Sequence, residues 1–487
     1  MADSFLTADK ADRHALAKLE ERVAEDLLFL QLPAASWVTP RRDDSGDELL
    51  DVAIIGGGMA GLTVAAALIF AGIDRIAVFD KSPAGLEGPW VTFARMETLR
   101  TAKEAAGPAL GVPSLTFRAW FTACFGARAW DELSFIPRAM WMDYLIWYRR
   151  ILRLPVLNGI ELTGLDPSDD QSVRLTFRSG DGTKNVSARR VVLATGLGGL
   201  GGPAIPEFIR NIDRRFWLHA AHERDFATFR GLDVGIVGAG ASAMDNAAEA
   251  LEKGARRVHI FVRRKEMPHV DKFTAISHEG LKLGFSGLPD EWKWKILRYG
   301  MAEQIPPPRH SVERVLRHEN VFLHTGSPIL SAHESEGHLA VQTPKCVHHL
   351  DRLVLATGFE VDLSLRPEFD AIADKILTWD DILPSQRDGA FDRSLLSTPY
   401  LDEGLAFQEK KPGTCPGLKL LYCYNFQAVL NHGKITSGVS GLSEASGRLV
   451  RALSRSFLNE MRDELYSRLI AYDTSELADL DWPAPPE

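Results

Sequence analysis

Two glycine-rich turns constrain this chain more than any other feature: Gly56-Gly57-Gly58-Met59-Ala60-Gly61 and Gly238-Ala239-Gly240-Ala241-Ser242-Ala243. Each follows a short apolar run that reads as a buried strand, at 51–55 and 233–237. Each opens an alanine-rich stretch that reads as a helix, and a second apolar strand follows. Glycine lacks a Cβ, so such a turn lets the backbone approach a pyrophosphate closely. The anion then sits against unpaired N–H groups at a helix N-terminus. One G-x-G-x-x-G pattern is a weak signal. Two of them in strand-turn-helix-strand context predict two Rossmann-like dinucleotide units, with Gly56, Gly58 and Gly61 in one and Gly238, Gly240 and Ser242 in the other.

The strand ends distinguish the two ligands. The first unit ends Phe79-Asp80-Lys81, with Asp80 lying 19 residues past Gly61. A carboxylate there accepts hydrogen bonds from ribose hydroxyls and repels a 2′-phosphate, which suits the adenosine half of FAD or NAD. The second unit ends Val262-Arg263-Arg264, with Arg263 20 residues past Ala243. Guanidinium groups hold a 2′-phosphate bidentately, which favours NADPH over NADH.

A chain of 487 residues implies two or three domains. The net charge of −9 and the absence of a long basic run argue against nucleic-acid binding. The first residues are polar, without the apolar stretch of a secretory signal, and the longest apolar runs are too short to span a bilayer, so cytoplasm is the expected compartment. Cys124, Cys346, Cys415 and Cys423 form no C-x-x-C pair and no zinc spacing. Neither a disulfide-reductase centre nor a metal site is expected, and Cys415 and Cys423 read as packing residues or free thiols.

The organisation follows from these signals. Residues 1–50 form a helical extension, periodic from about 9 to 32, with a polar linker. Residues 51–200 form the first part of an FAD domain, carrying an aromatic insertion at 82–154 in which 136–148 reads as a helix. Strand-like runs at 173–177 and 186–193, joined by Ser179-Gly180-Asp181-Gly182, predict a hairpin. The chain crosses at Ala194-Thr195-Gly196 and the glycines that follow. It continues as an NADPH domain over 201–350 and returns at Asp351–Phe359. Residues 351–487 complete the FAD domain with a strand at 420–425, a helix near 444–462 and a Pro-rich end. The expected fold is α/β: two Rossmann-like domains, the NADPH domain inserted into a discontinuous FAD domain.

From residue 51 to about 462 the chain resembles the class B flavin-dependent monooxygenases. Asp351-x-x-x-Leu355-Ala356-Thr357-Gly358-Phe359 is similar to the element that links their two domains, with Ser364 where His or Pro follows in the family. Phe216-x-Leu218-x-x-x-His222 is similar to their F-x-G-x-x-x-H signature, with Leu218 in the glycine position. Pro137-Arg138-x-x-Trp141-x-Asp143-Tyr144-Leu145-x-Trp147 is similar to a helix of the N-hydroxylating amine monooxygenases.

The resemblance implies FAD and NADPH as cofactors, O2 and a small organic molecule as substrates, and a C4a-(hydro)peroxyflavin formed while NADP stays bound. It places Gly88-Pro89-Trp90 and Leu99-Arg100-Thr101-Ala102-Lys103 beside the flavin, with Ala102 where many N- and S-oxygenases carry Asn. Trp90, Arg100, Thr101, Thr357 and Gly358 become cofactor-binding candidates, and Lys103 and His222 the candidate catalytic residues. Lys103 fits a substrate carboxylate, a cofactor phosphate or a solvated surface position equally; His222 fits NADP positioning or a structural hydrogen bond.

His432 and Lys434 fit substrate contact or loop capping, and Trp120, Trp130, Trp141 and Trp147 fit a pocket wall or packing. N-hydroxylation of an amine is the favoured reaction. Glu223-Arg224-Asp225-Phe226 after His222 is more similar to the version in N- and S-oxygenating members than to the Trp-containing version of Baeyer–Villiger enzymes, which stands against ketone oxidation; that reaction and S-oxygenation are the alternatives. An NADPH-dependent flavin reductase serving a partner protein is a second alternative. Oligomeric state is left open.

Overall fold

The computed structural model describes residues 11–477 apart from 44–45, 168–169 and 387. The first ten residues and the Pro-rich end lie outside these. Helix α1 (Arg13–Phe29) is capped by Asp12, whose carboxylate accepts from the His14 and Ala15 N–H groups. It buries Leu19 and Val23 against the aromatic insertion, padding the first domain.

The first unit then runs β1 (Leu50–Ile55), α2 (Met59–Phe70) and β2 (Ile76–Asp80). The insertion contributes α3 (Phe117–Phe125), α4 (Ala127–Glu132) and α5 (Arg138–Ile151). Strands β3 (Val156–Asn158), β4 (Glu161–Asp166), β5 (Val173–Ser179) and β6 (Gly182–Leu193) follow. Strands β3-β2-β1-β6 form a parallel sheet, extended by the antiparallel β5 and β4. The β5–β6 hairpin closes at Ser179 opposite Gly182, and Gly182 has a φ of +108°. Strand β6 begins four residues earlier than the apolar pattern indicates. Its first residues are exposed and polar, and the ladder to β5 holds them where hydrophobicity gives no signal.

Strand β7 (Gly201–Pro203) carries the chain across to β8 (Trp217–His219), β9 (Asp233–Val237), α6 (Ala241–Glu252) and β10 (Arg257–Phe261). Helices α7 (Glu279–Gly284), α8 (Asp290–Glu303) and α9 (Arg309–Leu316) lead to β11 (Val321–His324). An antiparallel trio follows, β12 (Ser331–Ser335), β13 (His338–Gln342) and β14 (Val347–Leu350), and then β15 (Arg352–Leu355). The second parallel sheet has the order β11-β10-β9-β15-β8.

Strand β16 (Phe359–Val361) pairs antiparallel with β7, so the two crossings between domains are hydrogen-bonded to each other. Helices α10 (Trp379–Ile382) and α11 (Gly389–Leu396) precede β17 (Leu421–Cys423), which adds to β6 in parallel. The described chain closes with α12 (Val429–His432), α13 (Leu442–Glu460) and α14 (Arg462–Ala471). The second domain is thus inserted into a discontinuous first domain. The parallel strands of the first sheet, β3-β2-β1-β6-β17, follow the 3-2-1-4-5 order of doubly wound folds, and the second sheet shares its β11-β10-β9-β15 core, with the earlier β8 added beside β15.

Burial explains the composition of these elements. Parallel strands are covered on both faces, and β1, β2 and β9 are buried along almost their whole length. Helix α2 buries every residue from Gly61 to Leu68 because α13 packs over the side that the sheet leaves open. In the insertion Trp120, Trp130, Trp141 and Trp147 are all buried, and Phe117 lies within 6.3 Å, centroid to centroid, of the first three. These tryptophans pack the insertion. Tyr144 and Tyr148 donate to the carbonyls of Leu115 and Pro108 at 2.6 and 2.7 Å, so their burial leaves no hydroxyl unpaired. All four cysteines are free thiols. Among the described residues no helix is long and apolar enough to cross a membrane.

A buried aspartate stands at the root of each unit's first strand. Asp51 accepts from Arg75 and Arg189, both at 2.8 Å, and Arg189 continues to Glu460 of α13 at 2.8 Å. Asp233 accepts from Arg256 at 2.7 Å and from the Nε of Arg257 at 3.0 Å. Burial pushes the Asp233 carboxyl up, but the hydrogen bonds and charges of Arg257 and Arg256 outweigh it and bring it down to about 2.

Two outcomes follow from this pairing. Arg189→Ala leaves the buried Asp51 and the half-buried Glu460 each short of a partner and is expected to cost about 3 kcal/mol in urea unfolding. Arg256→Ala removes an exposed side chain while Arg257 remains, and is expected to shift the urea midpoint far less than Arg189→Ala. The Asp233 contribution is fully present above about pH 4 and is lost as pH falls through 2. Asp233→Asn therefore flattens the pH dependence of stability between those values.

Candidate active site

Both glycine turns lie at the carboxyl ends of their sheets, where strand order reverses and ligands bind in doubly wound folds. A methyl group on Gly56 would collide with the carbonyl oxygen of Ala194, and one on Gly61 with the carbonyl oxygen of Gly56. Gly56 also has a φ of +109°. In the second unit a Cβ on Gly238 would fall 2.7 Å from the Ala356 oxygen. The two turns therefore rest on equivalent Ala-Thr-Gly exits, 194–196 after β6 and 356–358 after β15.

Gly58 and Gly240 behave differently. A Cβ on Gly58 meets nothing closer than 3.9 Å, and one on Gly240 meets nothing within 4 Å. Each is the N-cap of its helix, and neither α2 nor α6 has a side-chain cap. The first-turn N–H groups face open space that a pyrophosphate would fill. These residues fit two dinucleotides.

At the strand ends, Asp80 is buried and its carboxylate accepts from the N–H groups of Gly57 at 2.6 Å and Ser82 at 2.7 Å. That places the acidic group directly behind the first turn, with Lys81 exposed beside it. Arg263 is exposed at the end of β10, and Arg264 donates to the carbonyl of Ala302. Ser242 is exposed in the first turn of α6, with its carbonyl accepting from Asn246 at 2.8 Å. Thr357 donates to Ala204 at 2.6 Å, tying the second exit to the other crossing, and Gly358 adopts a φ of +82°.

The segment carrying the remaining candidates docks against the NADPH domain. Arg100 pairs with Asp245 of α6 at 3.0 Å, Arg95 donates to the Arg224 carbonyl at 2.6 Å, and Arg314 donates to the Arg95 carbonyl at 3.3 Å. Thr101 is half-buried in the same segment. Trp90 is buried edge-to-face on Trp141 at 6.2 Å, next to Gly88, and its Nε1 has no partner.

Lys103 turns into the insertion. Its ammonium donates to the carbonyls of Trp130 at 2.7 Å and Leu133 at 2.6 Å and lies 4.8 Å from the Trp130 ring centroid. Lys434 lies over the ring of Phe273 at 3.3 Å, and His432 is buried against Arg448 and the Asp402 carbonyl.

His222 accepts the His219 backbone N–H at 3.3 Å, and burial, then Arg214, lowers its pKa. His219 carries no family signature, yet it is buried within the crossing region. Its Nδ1 accepts from the Ala221 N–H at 3.0 Å, its Nε2 has no partner, and burial, then His222, pushes its pKa down to about 4. Gln427 Oε1 is likewise buried and unpaired beside Leu197. His219 Nε2 lies toward the Gly358 backbone without a hydrogen bond of good geometry; it and Gln427 Oε1 are buried polar atoms near the crossings that the described residues leave unpaired.

Two glycine-turn cradles, one backed by the buried Asp80 and one flanked by the exposed Arg263, mark a protein built to hold two dinucleotides, the class to which two-domain flavoprotein oxidoreductases belong. Residues 53–198 match the FAD–NAD(P)-binding family, and residues 129–279 match the L-lysine 6-monooxygenase/L-ornithine 5-monooxygenase family. The chain is 37% identical over 476 residues to the FAD-dependent urate hydroxylase of Xanthomonas campestris pv. campestris, covering 97% of this chain and 99% of that one.

Among solved structures, the ornithine N-hydroxylase of Kutzneria sp. 744 superposes with a TM-score of 0.65 at 17% identity, covering 84% of this chain and 99% of its own. The L-lysine 6-monooxygenase of Pseudomonas syringae gives 0.64 at 18% identity, covering 83% and 99%. The chain belongs to the FAD- and NADPH-dependent flavin monooxygenases of class B. Its cofactors are FAD and NADPH.

The glycine geometry separates binding from folding. Gly240→Ala is expected to leave FAD content and thermal midpoint unchanged while raising the KM for NADPH about tenfold or more, a loss of about 1.4 kcal/mol. Gly61→Ala closes the first turn sterically and is expected to yield protein without flavin, measured by the 450 nm-to-280 nm absorbance ratio.

Proposed function

We propose that this monooxygenase hydroxylates a planar oxopurine of the urate type. The observation that carries this reading is identity of 37% along 97% of the chain with a urate hydroxylase, against 15–18% with the amine hydroxylases of the same fold. The position of Lys103 supports it. The resemblance to amine hydroxylases would make this lysine a substrate contact, but its ammonium is committed to two carbonyls of the insertion.

The balance is substrate plus O2, NADPH and a proton giving hydroxylated substrate, NADP+ and water. Bound FAD supplies the redox chemistry, accepting hydride and activating O2. The chain's residues bind and orient. Gly56, Gly58, Gly61, Asp80 and Lys81 hold the FAD pyrophosphate and ribose; Gly238, Gly240 and Ser242 hold that of NADPH, with Arg263 and Arg264 on its 2′-phosphate.

Trp90, Arg100 and Thr101 form the wall that keeps water from the flavin, and Thr357 and Gly358 set the crossing that brings nicotinamide to it. His222 steadies His219, whose Nε2 hydrogen, with Gln427 Oε1, orients NADP or substrate. A heterocycle rich in N–H and C=O groups has the donors and acceptors such orphaned atoms require.

N-hydroxylation of an amine is the second reading, favoured by the match of residues 129–279 to the lysine and ornithine monooxygenases. Steady-state turnover with urate, L-ornithine and L-lysine separates the two. The expected result is urate-dependent NADPH oxidation with one O2 consumed per NADPH and one 18O atom from 18O2 in the product. Coupled turnover of an amine with urate inert would transfer the assignment to the second reading. Arg263→Ala is expected to reduce the preference for NADPH over NADH in kcat/KM by about tenfold or more, with kcat at saturating NADPH little changed.

A further inference from the structure

Three histidines distant in sequence meet at the outer edge of the NADPH domain. His259 comes from β10, His324 from the end of β11 and His348 from β14. One ring nitrogen from each lies within 4.8 Å of the others, with His259 Nδ1 and His324 Nε2 3.0 Å apart. Cys346 adjoins the third of them, its Sγ 3.3 Å from His348 Nε2 and outside the close set formed by the three rings.

The strands dictate this meeting. Alternation along β10 sends Val258 and Ile260 into the core beneath α6 and puts His259 and Phe261 on the opposite face. The parallel register sets Phe261 beside His324, and the trio β12–β14 packs over that face through Leu339, Val341 and Leu350. The histidines occupy the solvent edge of this seam. Phe261 fixes two of the rings, at 5.2 Å from His324 and 4.9 Å from His348.

The surroundings decide what such a cluster suits. The three rings are half-buried and packed on one another, His259 and His324 stacked at 5.3 Å and His324 and His348 edge-to-face at 4.7 Å. Imidazole nitrogens gathered this closely are the donor type that binds transition metals, each as a neutral ring. The gathered donors are imidazoles and a thiol, which suits zinc and disfavours magnesium or calcium. Tetrahedral zinc with bonds of about 2 Å separates its nitrogen ligands by about 3.4 Å. One pair lies at 3.0 Å and no pair of the three exceeds 4.8 Å, so small rotamer changes of the histidines suffice, with the exposed Cys346 side chain turning in from His348.

We propose that His259, His324 and His348 bind one Zn2+ ion per chain, with the Cys346 thiolate as fourth ligand, clamping the β12–β14 sheet onto β10 and β11. The clamp sits on β10, the strand that leads into Arg263 and Arg264. No spacing rule reveals it, because 65 residues separate the first two ligands and 24 the next two.

The test uses untagged, FAD-loaded protein stripped with EDTA and titrated with ZnCl2 by calorimetry and by competition with a chromophoric chelator. The expected result is one zinc per chain with submicromolar affinity and a higher thermal midpoint in its presence. His259→Gln, His324→Gln and His348→Gln are each expected to weaken binding at least about tenfold, with flavin content and circular dichroism retained.

His333→Gln, on exposed β12, is expected to change nothing. Absent or only weak binding by the wild-type protein overturns the site, whatever the variants do. Tight binding that survives His324→Gln and His348→Gln overturns it equally, and unchanged affinity in Cys346→Ser overturns the fourth ligand.

Discussion

Everything at the dinucleotide end of each sheet depends on a carboxylate buried at the other. Asp51 and Asp233 open β1 and β9, and each is held between two arginines. A buried carboxylate has few sites where its charge is compensated, so it fixes where its strand begins. A strand's length away the chain must turn, and there the glycines meet the Ala-Thr-Gly exits. The two units differ in how far the pin reaches. Asp233 is paired by residues entering β10, a local affair. Asp51 is paired through Arg189 to Glu460, so the same charge that starts the first strand anchors α13 from the far end of the chain.

The fold was largely legible because its signals are local. Strand, glycine turn and helix follow one another within twenty residues in both units, and the hairpin before β6 announces itself by Ser179-Gly180-Asp181-Gly182. The discontinuity was legible from two similar exits and a late apolar strand, which became β17. The start of β6 was not, because its polar residues are held by pairing with β5 and not by burial.

Side-chain destinations were the less legible part. Lys103 sits in a motif-like stretch, but its ammonium goes where α4 happens to end, at Trp130 and Leu133. Arg100 finds its partner, Asp245, 145 residues away across the domain boundary. His219 lies in no pattern and is singled out only by an unpaired buried nitrogen. Glycine roles divided in a way a motif cannot express: Gly56, Gly61 and Gly238 satisfy the protein's own packing, while Gly58 and Gly240 leave space for something else. Spacing identifies a turn; only the surroundings tell which of its residues serve folding and which serve the ligand.

The insertion of one domain inside another also sets the order in which the molecule can be made. On a ribosome, the NADPH sheet has all its strands once β15 emerges, whereas the FAD sheet lacks β17 and the covering α13 until residues near 421 and 460 are out. Until then the carboxyl half of β6 presents an open edge and α2 an uncovered apolar side. The middle of this polypeptide can therefore mature before its beginning, and the nascent first domain is the species that needs shielding from aggregation.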